Sequence, residues 1–570
     1  MLRRCAALVT FLLIAALVPT ALIAPTPAVA AGAGVVINEL YYNPVDGNQA
    51  NEFVELLNAS DTAVDIGGWY FSGITFTFPA GFVVAPGAFV VLRPGLYSGA
   101  LSNSGERIRL RDASGKTIDE VEYDDNGEWP SMADGEGSSL ERRVPGVSAN
   151  KPGNWVSGGP TPGAPNSNLG GVLPSFSGVT HTVLPAPGQP IEVTAKVTDA
   201  VSAALVYRVG FGVEVPVPVT LSGTTLTATI PGQASGQLVR YRITATSAEG
   251  VIGAWPRQGD GAGYTGTTVA APSASPLPTL QWFMEDAVYN AAFKDLTLSG
   301  DDGYPAVFAY AGTIFDNSKI RVKGQVSRTQ PKKKWKVIFA KGYALDIPGV
   351  LPEPVDEFAL HSSYSDKSFI RETLASEMLT AAGIPVSQSF PMRIERNGAF
   401  YGLYSYVEQQ DGTWRDRAGY DDSIVYEVGG GKQFALLDAS DANLGQTQLR
   451  NKYEKETQEW LGDDELRTLI RTLNGLSGQA RRDWIYANVD VASVVNLIAG
   501  VVVIQHQDLG HKNYRLIFNE HQRWEVVPTD FDLVLGRRWS VDTGAVSDVV
   551  GIQGAFEHPG GPLFGAFWFD

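Results

Sequence analysis

Residues 506–536 read HQDLGHKNYRLIFNEHQRWEVVPTDFDLVLG, and this stretch decides the fold expected for the C-terminal half of the chain. It contains, in order, Asp508, Asn513, two β-rich runs at 514–518 and 524–527, and an Asp-Phe-Asp motif at 530–532. A hairpin formed by the two runs would bring its ends together, because antiparallel strands return the chain to its starting edge. Asp508, Asn513, Asp530 and Asp532 would then supply carboxylate and amide oxygens, the donors that Mg²⁺ and Mn²⁺ prefer. Such an ion would in turn bind the phosphates of a nucleotide.

The order of these parts is that of the catalytic half of a protein kinase, with HQD in place of H-R-D and DFD in place of D-F-G. Upstream, Asp490 is positioned to cap a helix over residues 491–504 that would lead to Asp508. A single D-x-x-x-x-N or DFD motif is more often a capped loop or a solvated turn. The complete ordered set therefore favours a kinase-like site over those separate explanations.

Length and charge limit the classes of protein to consider. The 570 residues correspond to roughly three or four domains. A net charge of −17 and a pI near 4.9 argue against a nucleic-acid-binding surface, because phosphate contacts require a basic face. The main local exception is a group of four lysines: Lys332, Lys333, Lys334 and Lys336.

Residues 1–30 have two arginines, a long apolar run and an Ala-Val-Ala end, which is the pattern of a cleavable signal peptide. Three prolines interrupt the apolar run and argue against the alternative, an uncleaved membrane anchor. We therefore expect a secreted or cell-surface protein without a membrane span after cleavage. The sole cysteine, Cys5, lies in this segment, so the mature chain would have neither disulfides nor thiolate sites.

Residues 34–168 contain short β-rich runs, at 35–40, 52–56 and 81–92, separated by turn-forming residues, which is typical of an all-β sandwich. The segments VVINELYYNP, NEFVELLNAS, VDIGGWYFSG, LSNSGERIRLRDASGKTIDEVEY and TPGAPN resemble the lamin-tail domain, an immunoglobulin-like module of exported bacterial proteins. That resemblance implies binding or positioning rather than a reaction.

Four polar residues of this segment are candidates for a metal site: Asn38, Glu39, Glu52 and Glu55. Alternate positions on a strand face the same side, so these side chains could converge. We prefer a structural role, since Asn38 and Glu39 match the strand signature of the lamin-tail domain. Trp69 and Tyr123 are expected in the core.

Residues 169–272 follow a linker rich in glycine, proline, serine and asparagine. Apolar and polar residues alternate at 191–197, 204–208, 226–230 and 238–245, which predicts half-buried strands. The segment resembles a fibronectin-III or immunoglobulin-like sandwich that serves as a spacer. No cluster of acids, bases or metal ligands is visible in its sequence.

The last domain, 279–570, is expected to have an α+β fold, with strands at 306–310 and 320–322. A glycine- and serine-bearing turn at 323–330, beside a lysine-bearing strand, would form a phosphate cradle. A helix is predicted over 367–382, capped by residues 365–366. Its apolar stripe would consist of Ile370, Leu374 and Met378.

In a kinase, a strand lysine contacts the nucleotide phosphates and a helix glutamate orients that lysine. Lys332, Lys334 and Lys336 are candidates for the first role, although any of them could instead belong to a solvated face. Glu377 and Glu372 are candidates for the second role.

Four segments of this domain resemble the spore-coat protein H (CotH) kinase family, which has an atypical protein-kinase-like fold. They are KGQVSRTQPKKKWKVIF, SDKSFIRETLASEMLTAAGIP, ERNGAFYGLYSYVEQ and the stretch from HQDLGHKNYRLIF through WEVVPTDFDLVLG. The resemblance implies Asp508 as catalytic base, Asn513 and Asp530 as metal ligands, and Asp532 as a further acidic group. It also implies Lys332 as the phosphate-contacting lysine. The family's recurrent polar positions correspond to Asp366, Arg371 and Glu408, and Glu408 would contact the adenosine or tie the two lobes together.

The chain departs from the kinase pattern at two points and ends abruptly. HQD lacks the arginine of H-R-D, and Asp532 replaces the glycine of D-F-G, so control by loop phosphorylation is not expected. Residues 567–570 come directly after an apolar run and end the chain where a kinase-like fold would continue with helices, so we expect a truncated chain.

The sequence thus predicts two all-β immunoglobulin-like sandwiches followed by an α+β atypical kinase-like domain. Its expected function is ATP-dependent phosphorylation of hydroxyl groups on a secreted or cell-surface protein, with Mg²⁺ or Mn²⁺ as cofactor. Because ATP is scarce outside cells, two alternatives remain: transfer of the AMP part of ATP, and a non-catalytic adhesion or scaffold protein.

Overall fold

A computed structural model describes residues 34–548, except 46, 126–128, 168–169, 258–260, 272–274, 325, 421–422, 430–434, 460, 507, 510–511 and 540–545. This part of the chain is mainly β-structure, with seven α-helices that all lie after residue 285. None of the described helices combines the length and apolar character that a membrane span requires. The predicted signal peptide and the predicted abrupt end at 567–570 lie outside the described residues.

The first unit consists of two antiparallel sheets around a shared core. Its strands are β1 (Val35–Tyr41), β2 (Phe53–Asn58), β3 (Val64–Asp65), β4 (Tyr70–Ser72), β5 (Phe76–Thr77), β6 (Val83–Val84), β7 (Phe89–Leu92), β8 (Glu106–Arg111), β9 (Thr117–Tyr123), β10 (Ser139–Arg142) and β11 (Trp155–Gly158). One sheet has the order β11-β10-β1-β2-β7 and the other β5-β4-β8-β9, with β3 paired to β6. Tyr123 is buried in the core, and Trp69 packs against its edge. The single run predicted at 81–92 forms two strands, because the turn at Ala85–Ala88 separates them.

The second unit also has two sheets. Its strands are β12 (Ser175–His181), β13 (Ile191–Thr198), β14 (Ser202–Val209), β15 (Val215–Val217), β16 (Val219–Ser222), β17 (Thr225–Ile230), β18 (Leu238–Thr246), β19 (Ile252–Trp255) and β20 (Thr265–Thr268). The orders are β12-β13-β17-β16 and β15-β14-β18-β19, with β20 paired to β18. The four predicted runs coincide with β13, β14, β17 and β18, where inward-facing residues are buried at alternate positions.

The third unit begins with a closed seven-stranded barrel of order β21-β22-β23-β24-β25-β27-β26. Its elements are β21 (Thr279–Phe283), α1 (Asp286–Lys294), β22 (Tyr304–Tyr310), β23 (Thr313–Lys323), β24 (Lys334–Ile338), β25 (Glu357–His361), α2 (Arg371–Ala381), β26 (Ser389–Arg396) and β27 (Ala399–Glu408). The aromatic residues Trp282, Phe308 and Trp335 pack in its core. On β24, Trp335 points into that core, so Lys334 and Lys336 lie on the opposite face of the strand.

The remainder of this unit surrounds a four-stranded sheet of order β29-β28-β30-β31. Its elements are α3 (Gly412–Ala418), β28 (Ile424–Val428), α4 (Gln446–Arg450), β29 (Tyr453–Lys455), α5 (Asp464–Gly475), α6 (Gly478–Asn488), α7 (Val491–Val503), β30 (Tyr514–Phe518), β31 (Trp524–Pro528), β32 (Arg537–Trp539) and β33 (Val546–Asp548). The helix predicted at 491–504 is confirmed as α7, and Asp490 caps it by accepting a hydrogen bond from the Ser493 N–H at 2.8 Å.

Helix α2 differs from its prediction in both its start and its buried face. It starts at Arg371 because the Asp366 carboxylate accepts hydrogen bonds from the backbone N–H groups of Ser368, Ile370 and Arg371, which holds the preceding loop. The predicted core stripe of Ile370, Leu374 and Met378 is exposed instead. The core contacts come from Ala375 and Leu379, which lie on another face of the helix.

Candidate active site

The hairpin of β30 and β31 brings the two polar ends of the stretch 506–536 together, as predicted. Tyr514 pairs with Pro528 at its open end, and the Thr529 N–H donates to the Asn513 carbonyl oxygen at 2.8 Å. Asn513 and Asp530 adopt left-handed backbone conformations, with φ of 63° and 55°. Asparagine and aspartate enter this region more readily than most side chains. Each strand end is therefore adjacent to one of the predicted metal ligands.

Asp508 lies in the same loop and is held by two neighbours. The Asn513 side-chain amide donates to Asp508 Oδ2 at 3.1 Å and to the Asp508 carbonyl oxygen at 3.0 Å. Lys512 Nζ lies 2.7 Å from Asp508 Oδ2. The predicted base and the predicted amide ligand are thus in direct contact.

His506 connects this loop to the DFD motif. Its Nδ1 accepts a hydrogen bond from the Asp508 N–H at 3.2 Å, and its ring packs edge-on against Phe531, with 5.6 Å between centroids. Burial lowers the pKa of His506. The imidazole is therefore neutral and serves to position the loop relative to Phe531.

Lys334 lies between the two carboxylates of the DFD motif. Its Nζ is 2.9 Å from Asp532 Oδ2 and 3.4 Å from Asp530 Oδ1. Burial opposes the charge on Lys334, but the two carboxylates outweigh it and raise the pKa of the ammonium group. Burial likewise opposes ionisation of Asp530, yet Lys334, with His361 and Lys512, holds the pKa of that carboxyl low. The strand lysine and Asp530 are charged together.

Asp532 is the second member of this carboxylate pair. Burial and the neighbouring Asp530 raise the pKa of Asp532 to about 6, against the opposing effect of Lys334. Asp530 is therefore ionised throughout the neutral range, whereas Asp532 takes up a proton when the pH falls below about 6.

The other two candidate lysines point elsewhere. Lys332 Nζ donates to the Ser362 carbonyl oxygen at 2.7 Å and to that of Leu403, and burial lowers its pKa to about 8. Lys336 Nζ pairs with Glu357 at 2.6 Å and Asp301 at 2.9 Å. The phosphate-contacting role of Lys332 stays a prediction, and the geometry favours Lys334.

The glutamate of α2 that faces the site is Glu372. Its Oε1 lies 2.6 Å from Nδ1 of His361, and both side chains are buried. Glu377 lies on the exposed side of α2, because five further residues turn the helix by about 140°. Of the two helix glutamates considered from sequence, the structure brings only Glu372 to the cluster.

His361 is a site residue that sequence reasoning missed. Donor atoms of His361, Glu372 and Asp530 all lie within 4.8 Å of one another. The usable signal was a histidine at the end of β25, the strand paired with β24. The sequence does not reveal that His361 lies near Lys334, because that depends on the pairing of β24 with β25 in the barrel.

Glu408, at the end of β27, connects the barrel to helix α3. Its Oε2 accepts a hydrogen bond from the Gln388 N–H at 2.8 Å, and its Oε1 pairs with Arg417 on α3. Burial raises its pKa. Of the two roles considered for Glu408, these contacts favour tying the barrel to the segment that follows.

The glycine-bearing turn predicted as a phosphate cradle is partly described, because Gln325 lies outside the described residues. Gly324 has φ of 98°, and a Cβ there would lie 2.0 Å from Ser327 Oγ. The turn therefore requires glycine at this position.

The donors around the DFD motif fit a hard divalent cation. Asp530 and Asp532 offer carboxylate oxygens that remain partly exposed, with side-chain exposures of 36% and 26%, and Asn513 adds an amide. Such oxygen donors suit Mg²⁺ or Mn²⁺, and the imidazole of His361 next to Asp530 is a ligand type that Mn²⁺ accepts more readily than Mg²⁺.

Comparison with known proteins identifies two domains. Residues 320–565 match the family described as CotH kinase protein, and residues 28–125 match the Lamin Tail Domain. No curated protein matches the chain. Among solved structures, the twitchin kinase region from C. elegans (Fn31-NL-kin-CRD-Ig26) matches at 11% sequence identity and a TM-score of 0.16. That match covers 62% of this chain and about half, 51%, of the other, and at this TM-score it supports no structural argument.

The family matches bear out the resemblances to the CotH kinase family and to the lamin-tail domain, whereas the fibronectin-III or immunoglobulin-like nature of the second unit stays a prediction. The hairpin, the DFD motif and the Lys334 strand all lie inside the first matched region. The chain thus contains a CotH kinase domain at 320–565 and, N-terminal to it, a lamin tail domain at 28–125.

Proposed function

We propose that the C-terminal domain transfers the γ-phosphoryl group of ATP to a hydroxyl group of a protein. The observation that carries this proposal is the position of Lys334 between Asp530 and Asp532, beside the loop that holds Asp508 and Asn513. A lysine on a barrel strand and two acidic loops in one cluster are the parts that phosphoryl transfer requires.

Each residue has a defined role in the proposed reaction. Lys334 binds phosphate oxygens of ATP when it leaves the carboxylates, and Glu372, held by His361, supplies the negative charge that orients it. Asp508 orients the acceptor hydroxyl and takes its proton as the oxygen–phosphorus bond forms and the bond to ADP breaks. Asp530, Asp532 and Asn513 would hold Mg²⁺ or Mn²⁺, which offsets the charge of the phosphates when bound.

The N-terminal part of the chain supports a surface location. The signal-peptide pattern of residues 1–30 favours export, and the two β-units, which we interpret as immunoglobulin-like sandwiches, would position the kinase domain at its substrate. The proposed substrate is a secreted or cell-surface protein.

The test uses the full-length chain with ATP labelled in either the α- or the γ-phosphate. Label from γ-ATP should enter the chain itself or an added acceptor protein, and Asp508→Ala should reduce the rate by about a thousandfold. Asp483→Ala, which removes an exposed aspartate of α6, is the matched control and should react as the wild type does.

Three results would contradict the proposal. Equal rates for wild type and Asp508→Ala would remove Asp508 from the reaction. Incorporation of α-label would indicate transfer of AMP. Absence of Mg-ATP binding by calorimetry would favour a non-catalytic scaffold protein.

A further inference from the structure

A cavity of about 420 Å³ lies between the second β-unit and the barrel. Its walls include Arg208, Phe211, Arg240 and Tyr264 on one side and Val288 and Asp316 on the other. This volume is within the range of small-molecule sites, which often occur where two domains meet.

Two arginines face each other in the cavity wall. Arg208 on β14 is directly opposite Arg240 on β18. Both guanidinium groups lie over the ring of Tyr264, at 4.5 and 5.3 Å from its centroid. Like charges directly opposite one another on paired strands repel, so this arrangement requires nearby negative charge.

Only one of the two arginines has a carboxylate of its own. Arg240 forms a buried ion pair with Asp316, whose other oxygen accepts hydrogen bonds from the N–H groups of Gly263 and Tyr264, at 3.2 and 3.0 Å. Within the described part of the chain, Arg208 forms neither a hydrogen bond nor an ion pair. The carboxylate that influences it, Glu214, already accepts hydrogen bonds from Arg242 and the Tyr264 hydroxyl.

We propose that this cavity binds an organic carboxylate, with Arg208 as the residue that holds the carboxylate group. The planar guanidinium presents paired N–H donors that match a carboxylate, and a ligand there would supply the missing countercharge. A volume of about 420 Å³ exceeds the space that an inorganic anion needs. Phe211 and Val288 would contact the apolar body of the ligand.

The charge of the cavity favours a single negative group on the ligand. Asp316 is already neutralised by Arg240, and Glu285 adds a carboxylate in the exposed part of the lining. Glu285 would repel a polyanion more strongly than a monocarboxylate. Because the walls come from two units, the ligand would also stabilise their contact, independently of the proposed kinase activity.

Calorimetric titration of the full-length chain with sodium benzoate, and with neutral benzamide, tests this site. Benzoate should bind, and benzamide should bind at least about tenfold more weakly, because it cannot neutralise Arg208. Benzoate should also raise the midpoint of thermal unfolding. Arg208→Gln should lose the preference for benzoate over benzamide.

Two further variants keep the result interpretable. Arg208→Lys retains the charge without the paired donors and should weaken benzoate binding severalfold, even if Arg208→Gln fails to fold. Arg107→Gln, an exposed arginine of the first unit paired with Glu122, should bind benzoate as the wild type does. No benzoate binding, equal binding of benzamide, or unchanged binding by both Arg208 variants would overturn the proposal.

Discussion

The first β-unit and the kinase domain both place carboxylates next to paired strands, but the carboxylates differ in burial and in the groups that balance their charge. In the first β-unit, which contains the lamin tail domain match, Glu39 on β1 is directly opposite Glu55 on β2 and Glu141 on β10, and all three are fully buried. In the kinase domain, Asp530 and Asp532 stay partly exposed at the end of a hairpin.

The glutamates are held by hydroxyl and backbone donors, many of them in the segment that follows β11. Glu39 accepts hydrogen bonds from the Ser139 hydroxyl at 2.5 Å and the Thr161 N–H at 2.8 Å. Glu55 accepts one from the Gly163 N–H at 2.6 Å, and Glu141 one from the Ser167 hydroxyl at 2.9 Å. The row of glutamates therefore fastens the segment 161–167 across the sheet, which supports the structural role that we favoured over a metal site.

The aspartates are held by lysine side chains instead. Lys334 carries its ammonium group on a flexible stem, so this group could move from the two carboxylates to a phosphate. The kind of donor, together with the depth of burial, therefore separates a carboxylate that fixes a fold from one that can exchange its partner.

The largest effect expected from this comparison is that of Lys334→Ala. The variant should lower kcat/KM for ATP by about a thousandfold, because it removes the ammonium group held at both DFD carboxylates. Initial rates over a range of ATP concentrations measure the change. Lys294→Ala, which removes an exposed lysine at the end of α1, is the control. A rate within a few-fold of the wild type would place the phosphate at another lysine, and Lys332 would then regain priority.

The sequence predicted those parts of the candidate site whose structure depends on residues close together in the chain. The alternating runs and polar turn predict the hairpin, and Asp490 predicts the start of α7, because capping and strand pairing act over a few residues. Asp508 and Asn513 were placed together for the same reason.

The sequence could not choose among residues whose neighbours come from distant strands. Lys332 and Lys334 are two residues apart, so an extended strand would place both on the same side. They differ because β24 starts at Lys334, which leaves Lys332 in the preceding loop. Glu372 lies on the buried face of α2 and Glu377 on the exposed face. The buried face does not contain the apolar stripe expected from sequence, so the pattern could not choose between the two glutamates. His361 becomes visible only through the pairing of β25 with β24.

A smaller effect is expected when one of the buried glutamates is removed. Glu39→Ala should lower the free energy of opening of the first β-unit by about 3 kcal/mol, because it leaves both donors of Thr161 without their acceptor and the Ser139 hydroxyl with only the longer contact to the Gly158 carbonyl oxygen. Hydrogen exchange of peptides from β1 and β10 measures this free energy.

The matched control for Glu39→Ala is Glu122→Ala, which breaks an exposed ion pair with Arg107 in the same domain. It should change the opening free energy by less than about 1 kcal/mol. Neither variant should change the rate of phosphoryl transfer. If Glu39→Ala exchanged as slowly as Glu122→Ala, the glutamates would not fasten the segment 161–167.

The smallest expected effect is a pH dependence that is specific to the lamin tail domain. Burial, reinforced by Glu39 and Glu141, raises the pKa of Glu55 from 4.5 to about 7, although hydrogen bonds from Gly163 and Asn38 oppose the shift. The folded state therefore holds this proton more tightly than the unfolded state. The resulting stability is fully present below pH 4.5 and is lost as the pH rises through about 7, by at most about 3 kcal/mol.

Hydrogen exchange of β1 and β2 peptides, corrected for intrinsic exchange rates, should record this loss between about pH 5 and about pH 8. Glu55→Gln keeps the shape of the side chain without the ionisable group, so it should flatten the profile and be the more stable protein at the upper end. Asp530 provides the contrast, because its pKa is lowered by Lys334 despite burial and it stays ionised across this window. A profile that is equally steep in Glu55→Gln would show that another group titrates there, and the two kinds of carboxylate would then not differ in the way their donors imply.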